Sequence, residues 1–543
     1  MLNKGRRSAR VLRRALILLQ VCSIVLVLAT SFHFATAQEY QNPVLRGMNP
    51  DPSVIRVGNE YFLATSSFEY FPGCPIYHSF DLVHWERVGY ALERQEQFAA
   101  LHSEHPSLYA CTLRYHGGLF YAVTTDVRGG GNFFVTATNP AGPWSNPVVV
   151  DHGMFDPSLF FDDDGKVYYT RRGPRNGENI VQAEIDPSTG KLLTPPRTIS
   201  TGMISQDAEG PHLYRIGGWY YLSLAEGGSR FLHMETIGRS TSPWGPFTPS
   251  PADPWVSQHF SWDDQVRTLG HCDLVDTPEG KWWTVCLGTR HFNYAHFSLG
   301  RETFLFPVQW KDGWPSVARD DVRSLIVDHA SPGNHPFSAS TERDDFAEPF
   351  LRSDWNTIGP SGTQVMSLSE RPGFLRLHGQ PAGLSFQQTA AFVGRRQTEW
   401  RTTSTARVEF SPEQSGDRAG LTIFMSPAYH YAICKVWRDG RTYLQLVKQV
   451  DDLHIVAAEA PVGDGPLLLR IDSDAEQYRF SYAVDGGAWI LLGTGEERLI
   501  ASEVANVWSG AYLGMFAESQ NGAHGPPADF DWFDYEHEQE SHK

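Results

Sequence analysis

Up to about residue 325, short apolar runs are broken by glycine turns, and one plan returns five times. A polar or aromatic residue opens each copy. A short apolar strand follows, then a turn containing glycine, then a strand that begins with aromatics. The copies open at Asp51, Tyr109, Asp156, Glu209 and His271. Their turn glycines, Gly58, Gly118, Gly165, Gly218 and Gly280, lie 47 to 62 residues apart. That period fits a four-stranded propeller blade, which must stack on neighbours to bury its faces. Outer-edge turns echo it at Ser79–Trp85, Asn139–Trp144 and Ser242–Phe247. No amphipathic helix of useful length interrupts the pattern. The chain is therefore predicted to be all-β, with a five-bladed β-propeller over residues 42–325.

Beyond that point the aromatic hairpins stop. Residues 326–343 read as a linker, containing Ser331-Pro-Gly-Asn-His-Pro336. Alternating strands follow at Thr403–Phe410, Gly420–Met425, Tyr443–Val447, Leu467–Ile471 and Tyr478–Val484. Period-two alternation with polar outward positions predicts an antiparallel β-sandwich over 344–537, closed by a strand near Asp529–Tyr535.

Composition narrows the function. The chain carries 16 Trp and 21 Tyr, and aromatic residues make up 13% of it. Aromatic faces suit the axial C–H groups of sugar rings. The formal net charge is −17 and no basic stretch appears after residue 40, which excludes a nucleic-acid partner. The basic residues gather instead at the N-terminus, from Lys4 to Arg14. An apolar run from Ala15 to about Thr30 follows, then Ala35-Thr36-Ala37. This reads as a secretory signal over residues 1–37, which makes the protein secreted and free of the membrane after cleavage. The rival reading is an uncleaved anchor, since Ala15–Ala37 is just long enough to span a bilayer. Outside Cys22 five cysteines remain, with no CxxC spacing, which leaves one bridge or buried free thiols and argues against zinc.

Equivalent positions of the inner strands meet around a propeller's central channel. The opening residues Asp51, Tyr109, Asp156, Glu209 and His271 each lie 10 to 12 residues before the returning aromatic of their copy. Three carboxylates, an imidazole and a phenol therefore converge at one end of the channel. Stability does not require this, because like charges repel and burial is costly. Taken singly, Asp51 and Asp156 read equally well as turn starters before Pro-Ser, and His271 as a structural histidine. The shared offset favours chemistry. Glycoside hydrolysis needs one protonated carboxyl, one carboxylate facing water, and a charge that keeps the acid protonated.

Asn49-Pro-Asp-Pro-Ser53, Ser67–Gly73, Phe155-Asp-Pro-Ser158, Ala208-Glu-Gly-Pro-His212 and Leu299–Phe304 together resemble glycoside hydrolase family 43. They resemble most its β-xylosidase and α-L-arabinofuranosidase branch, which carries a C-terminal concanavalin A-like sandwich. The resemblance implies an inverting reaction with Asp51 as general base, Glu209 as general acid and Asp156 orienting Glu209 and raising its pKa. It implies that Arg301 binds the sugar, that Phe68 lines the terminal-sugar subsite, and that Ser229 and His271 face the pocket. No cofactor is required, although in some relatives a calcium ion lies near the channel histidine. The sandwich, which in relatives packs on the propeller and can lend a residue closing the pocket, carries no match to that residue, and the segment Ser107–Thr112 departs from the family. Cys111 stands where relatives carry proline, and Tyr109 where many carry tryptophan. The expected substrate is a xylan- or arabinoxylan-type saccharide. The leading activity is an exo-acting β-1,4-xylosidase. The alternative is an α-L-arabinofuranosidase, and the remote one a non-catalytic carbohydrate-binding propeller.

Overall fold

A computed structural model describes residues 39–538, apart from 175–178, 259–263, 265, 293–294, 328–331, 338–341 and 485. The predicted signal at 1–37 and part of the predicted linker lie outside the described residues.

Five antiparallel meanders of four strands form the first half, each in simple chain order from its inner strand outward, and in the fourth a short fifth strand, Val256–Ser257, also pairs with Met234–Ser240. Their inner strands are Ser53–Val57, Thr112–His116, Ser158–Phe161, Glu209–Ile216 and Val266–Asp276. Each pairs with a second strand that brings the aromatic of the repeat, as in Arg56↔Tyr61 and Phe160↔Tyr168. These are the blades that the repeat predicts. Large apolar cores fill the space between neighbouring blades, as where Phe62, Cys74 and Ile76 meet Cys111, Leu113 and Phe133. The ring is tied where it closes. Tyr40–Gln41 pairs antiparallel with Ile326–Val327, and the Tyr40 hydroxyl donates to the Leu305 carbonyl at 2.7 Å.

A polar network runs down the axis and touches every blade. The buried Asp273 carboxylate of blade five accepts from Ser53 Oγ of blade one at 2.7 Å and from Arg114 Nη1 of blade two at 2.9 Å. It also accepts from the Tyr214 hydroxyl of blade four at 2.6 Å. Arg114 Nη2 donates to His212 Nδ1 at 2.8 Å, and Ser158 Oγ of blade three lies 3.5 Å from the same nitrogen. Buried polar groups need such partners, and here the pairing fixes the blades' angular positions as well.

The second half is a sandwich of an eight-stranded and a seven-stranded sheet. Every strand predicted there is present, and Ala528–His537 lies inside its sheet, between Leu375–Leu377 and Thr402–Glu409. One relationship was not foreseen. The eight-stranded sheet ends on Tyr70–Phe71 of the propeller, which pairs with Asn356–Ile358. An apolar cluster continues this junction. Met48, Phe68 and Tyr70 pack with Ile358, Phe392, Tyr512 and Phe516, and the Tyr70 and Tyr512 rings stack at 3.8 Å. Arg290 of the propeller is buried between Glu302 and Glu399, with Nη1 donating to Glu399 Oε2 of the sandwich at 2.9 Å. The two halves therefore share a sheet, a core and an ion cluster.

Of the five cysteines, Cys272 and Cys286 form a disulfide across paired strands of blade five. Cys74, Cys111 and Cys434 are buried free thiols. No described helix is long and apolar enough to cross a membrane.

Candidate active site

The inner strands deliver the site through an unusual backbone. Asp51, Asp156 and His271 all adopt left-handed conformations, with φ of 55°, 58° and 48°. Asp and His tolerate this region better than most residues, at a cost of about 1–3 kcal/mol each. The fourth copy solves the same problem differently. Glu209 stays extended and Gly210 takes the positive φ of 56°. A Cβ at Gly210 would lie 2.7 Å from His271 Nε2, so only glycine fits. Bulges accompany both places, between Glu209 and His212 and between Gly270 and Asp273.

A cavity of about 440 Å³ opens at this end of the channel. All eight residues predicted from sequence line it: Asp51, Phe68, Tyr109, Asp156, Glu209, Ser229, His271 and Arg301. Phe155, Asp207, Arg230 and Trp508 line it too.

The three carboxylates sit in different fields. Asp51 Oδ1 accepts from Arg301 Nη1 at 3.1 Å and lies 3.4 Å from His271 Nδ1, while Oδ2 accepts from Ser66 Oγ at 2.5 Å. Burial alone would raise its pKa, but Arg301, His271 and Ser66 outweigh burial and hold it well below the usual carboxylate range. Glu209 moves the other way. Burial, and next the charge of Asp156, push its carboxyl up to about 7, against the pull of Arg172 and His271. Asp156 is raised by burial and by Asp51, and its Oδ2 accepts from the Gly210 amide at 3.1 Å. At neutral pH the pocket thus holds an ionised Asp51 and a Glu209 that is substantially protonated. Such a divergence equips one pocket with a group that can accept a proton and another that can donate one.

His271 is raised to about 9: burial opposes this, and Asp51, Asp156 and Glu235 overcome it. Among the described residues no group of three or more His, Cys, Asp or Glu side chains is arranged to hold a metal ion. No step below runs through an ion.

Aromatic rings build the wall. Phe68 meets Tyr109 edge-on at 5.4 Å, and Tyr109 meets Phe155 at 5.6 Å. Cys111 is not in this wall. It lies behind it, in the blade one–two core beside Cys74. The sandwich adds Trp508 beside this wall, packed against the same apolar cluster as Phe68 and Tyr109, and the Trp508 carbonyl accepts from Arg301 Nε at 3.4 Å. Arg230 lies 5.2 Å from the Trp508 ring centre and donates to Asn506 Oδ1 at 2.7 Å.

Residues 40–315 match Glycosyl hydrolases family 43, and residues 343–536 match the Beta xylosidase C-terminal Concanavalin A-like domain. The chain belongs to glycosyl hydrolase family 43. It is a glycosidase that hydrolyses O-glycosyl bonds. A non-reducing end alpha-L-arabinofuranosidase of Bacteroides ovatus is 39% identical over 95% of this chain and 98% of its own length. A xylan 1,3-beta-xylosidase of a Vibrio species is 34% identical over 91% of this chain and 98% of its own. Among solved structures, the xylan beta-1,4-xylosidase of Bacillus halodurans superposes with a TM-score of 0.85 at 33% identity. It covers 92% of this chain and 100% of its own. This family 43 chain has the predicted two-part, all-β architecture throughout.

Trp508 and Arg172 escaped the sequence reading. Trp508 lies outside the repeat, and Arg172 ends a blade strand with no motif around it.

Proposed function

We propose that this family 43 enzyme is an exo-acting, inverting hydrolase that releases a terminal pentose, with xylose from non-reducing β-1,4 ends as its leading product. The observation that carries the reading is the divergence of Asp51 and Glu209 within one pocket that Trp508 of the sandwich also lines. Asp51, held ionised, accepts the proton of a water as its oxygen bonds the anomeric carbon. Glu209 gives its proton to the glycosidic oxygen as that bond breaks. Asp156 keeps Glu209 protonated by its charge and fixes the Gly210 turn beside it. Arg301 and the imidazolium of His271 keep Asp51 ionised, and Phe68 and Tyr109 offer rings to the sugar's apolar face.

A second reading, an α-L-arabinofuranosidase, is supported by the 39% identity to the Bacteroides ovatus enzyme over nearly the whole chain. Initial rates on an aryl β-D-xylopyranoside and an aryl α-L-arabinofuranoside, side by side, decide between them. Preference for the xyloside supports the leading reading, and preference for the arabinofuranoside replaces it with the second. No turnover of either would overturn both.

The proposed setting is extracellular. The basic–apolar–Ala35-Thr36-Ala37 pattern supports export, and the Cys272–Cys286 disulfide supports an oxidising compartment.

A further inference from the structure

Arg172 closes the strand Val167–Arg172 of blade three and is almost fully buried, with 1% of its side chain exposed. A buried guanidinium needs anionic partners, and this one has two. Nη1 donates to Glu209 Oε2 and Nη2 donates to Asp207 Oδ1. Its plane lies 5.2 Å from the Phe155 ring centre, so packing fixes the fork. Asp207 is two residues before Glu209, lines the pocket, and has 39% of its side chain exposed. The loop that carries Asp207 is itself pinned. Buried Glu226 accepts from the amides of Met203, Ile204 and Ser205.

Neither residue has a part in the base–acid mechanism above. A strong cation bound directly to a general acid favours the acid's ionised form, which by itself would leave Glu209 unprotonated at neutral pH. A second carboxylate on the same guanidinium offsets that. The other charged groups facing Glu209, Asp156 and His271, lie on the channel side.

We propose that Arg172 and Asp207 act as a paired positioning device that sets the acidity of Glu209 and receives its carboxylate as the proton leaves. This rests on the reading of Glu209 as the general acid. When the O–H bond of Glu209 breaks, the proton goes to the glycosidic oxygen, and the C–O bonding pair stays on that oxygen. The new carboxylate remains on Arg172, whose charge is already shared with Asp207. Arg172 promotes proton release, and Asp207 limits how far it does so. The two therefore act with opposite sign on one titration.

The test is the pH dependence of kcat/KM for wild type, Arg172→Met, Arg172→Lys, Asp207→Asn and Glu209→Gln. The substrate is whichever aryl pentoside the wild type turns over faster, prepared with a poor leaving group and with an activated nitrophenyl one. The alkaline limb is expected to move up by about one pH unit in Arg172→Met and down by a similar amount in Asp207→Asn. Arg172→Lys should return it toward the wild-type position, and the acidic limb should stay in place. The rate loss in Arg172→Met should be larger with the poor leaving group. Limbs that stay still, or move in the same direction, overturn the proposal. A Glu209→Gln enzyme that keeps the alkaline limb sinks the reading of Glu209 itself, a result separate from any shift in the other variants.

Discussion

Arg301 donates from Nη1 to Asp51 Oδ1 at 3.1 Å, and both side chains are buried. This contact joins the residue before the third strand of blade five, Glu302–Lys311, to the residue that opens blade one. It also decides a protonation state, since burial alone would favour a neutral Asp51. Losing a charge-assisted hydrogen bond of this kind costs about 1.5–3 kcal/mol, or about 10- to 100-fold in kcat/KM. Arg301→Met is expected to lose at least that much. The folded pKa of Asp51 rises when its cation is removed, so the acidic limb of the kcat/KM profile should shift to higher pH. Steady-state kinetics from pH 9 to as far below pH 4 as the enzyme stays folded would show it, and an unmoved limb would speak against this role.

Glu209 should govern the alkaline side. As the proposed general acid it would work protonated, and its carboxyl is raised to about 7, so wild-type kcat/KM should fall as pH rises through that value. Glu209→Gln is expected to lose about 10²- to 10⁴-fold on poor leaving groups and to flatten that limb. Much less should be lost with a nitrophenolate that departs without a proton. Equal losses on both substrates would argue against acid catalysis by this residue.

Gly210→Ala tests the turn. A methyl group there meets the His271 ring, and the backbone φ of 56° is strained for alanine. Activity should fall by more than tenfold while circular dichroism stays unchanged, because the disturbance is confined to the Gly210 turn and the His271 ring it meets. A fully active Gly210→Ala enzyme would show that the turn has more freedom than this geometry allows.

The sandwich is expected to be inseparable from the propeller. Glu399→Ala leaves Arg290 buried with Glu302 as its remaining carboxylate partner. The cost should fall near the low end of that for broken buried pairs, about 3 kcal/mol. It should appear as a lowered urea midpoint of one cooperative transition. A change under about 0.5 kcal/mol, or separate transitions for the two halves, would contradict a shared ion cluster.

The catalytic end of the channel was legible because repetition encodes geometry. Residues at a constant offset before an aromatic strand must meet at the axis, and Asp51, Asp156, Glu209 and His271 do so. The left-handed turns at Asp51 and Asp156 also explain why the first and third copies open on Asp-Pro-Ser. What lies outside the repeat left no such trace. Trp508 reaches the pocket from a sandwich loop some 200 residues after Arg301 in sequence, through a packing that no periodicity announces. The Tyr70–Phe71 strand was hidden because its partner, Asn356–Ile358, lies beyond the linker. The cysteine pairing stayed open because an odd count does not choose partners. It is set by two neighbouring strands that bring Cys272 opposite Cys286. Arg172 was silent for a related reason, since only the folded blade places the end of its strand against Glu209.

The central claim is a single displacement, with a water activated by Asp51 and a leaving group protonated by Glu209. Proton NMR of the first-formed sugar tests it most directly. With an aryl β-D-xylopyranoside, the account predicts that α-xylose appears first and β-xylose grows in only by mutarotation. Initial formation of β-xylose would mean a covalent intermediate and would contradict the roles given to Asp51 and Glu209.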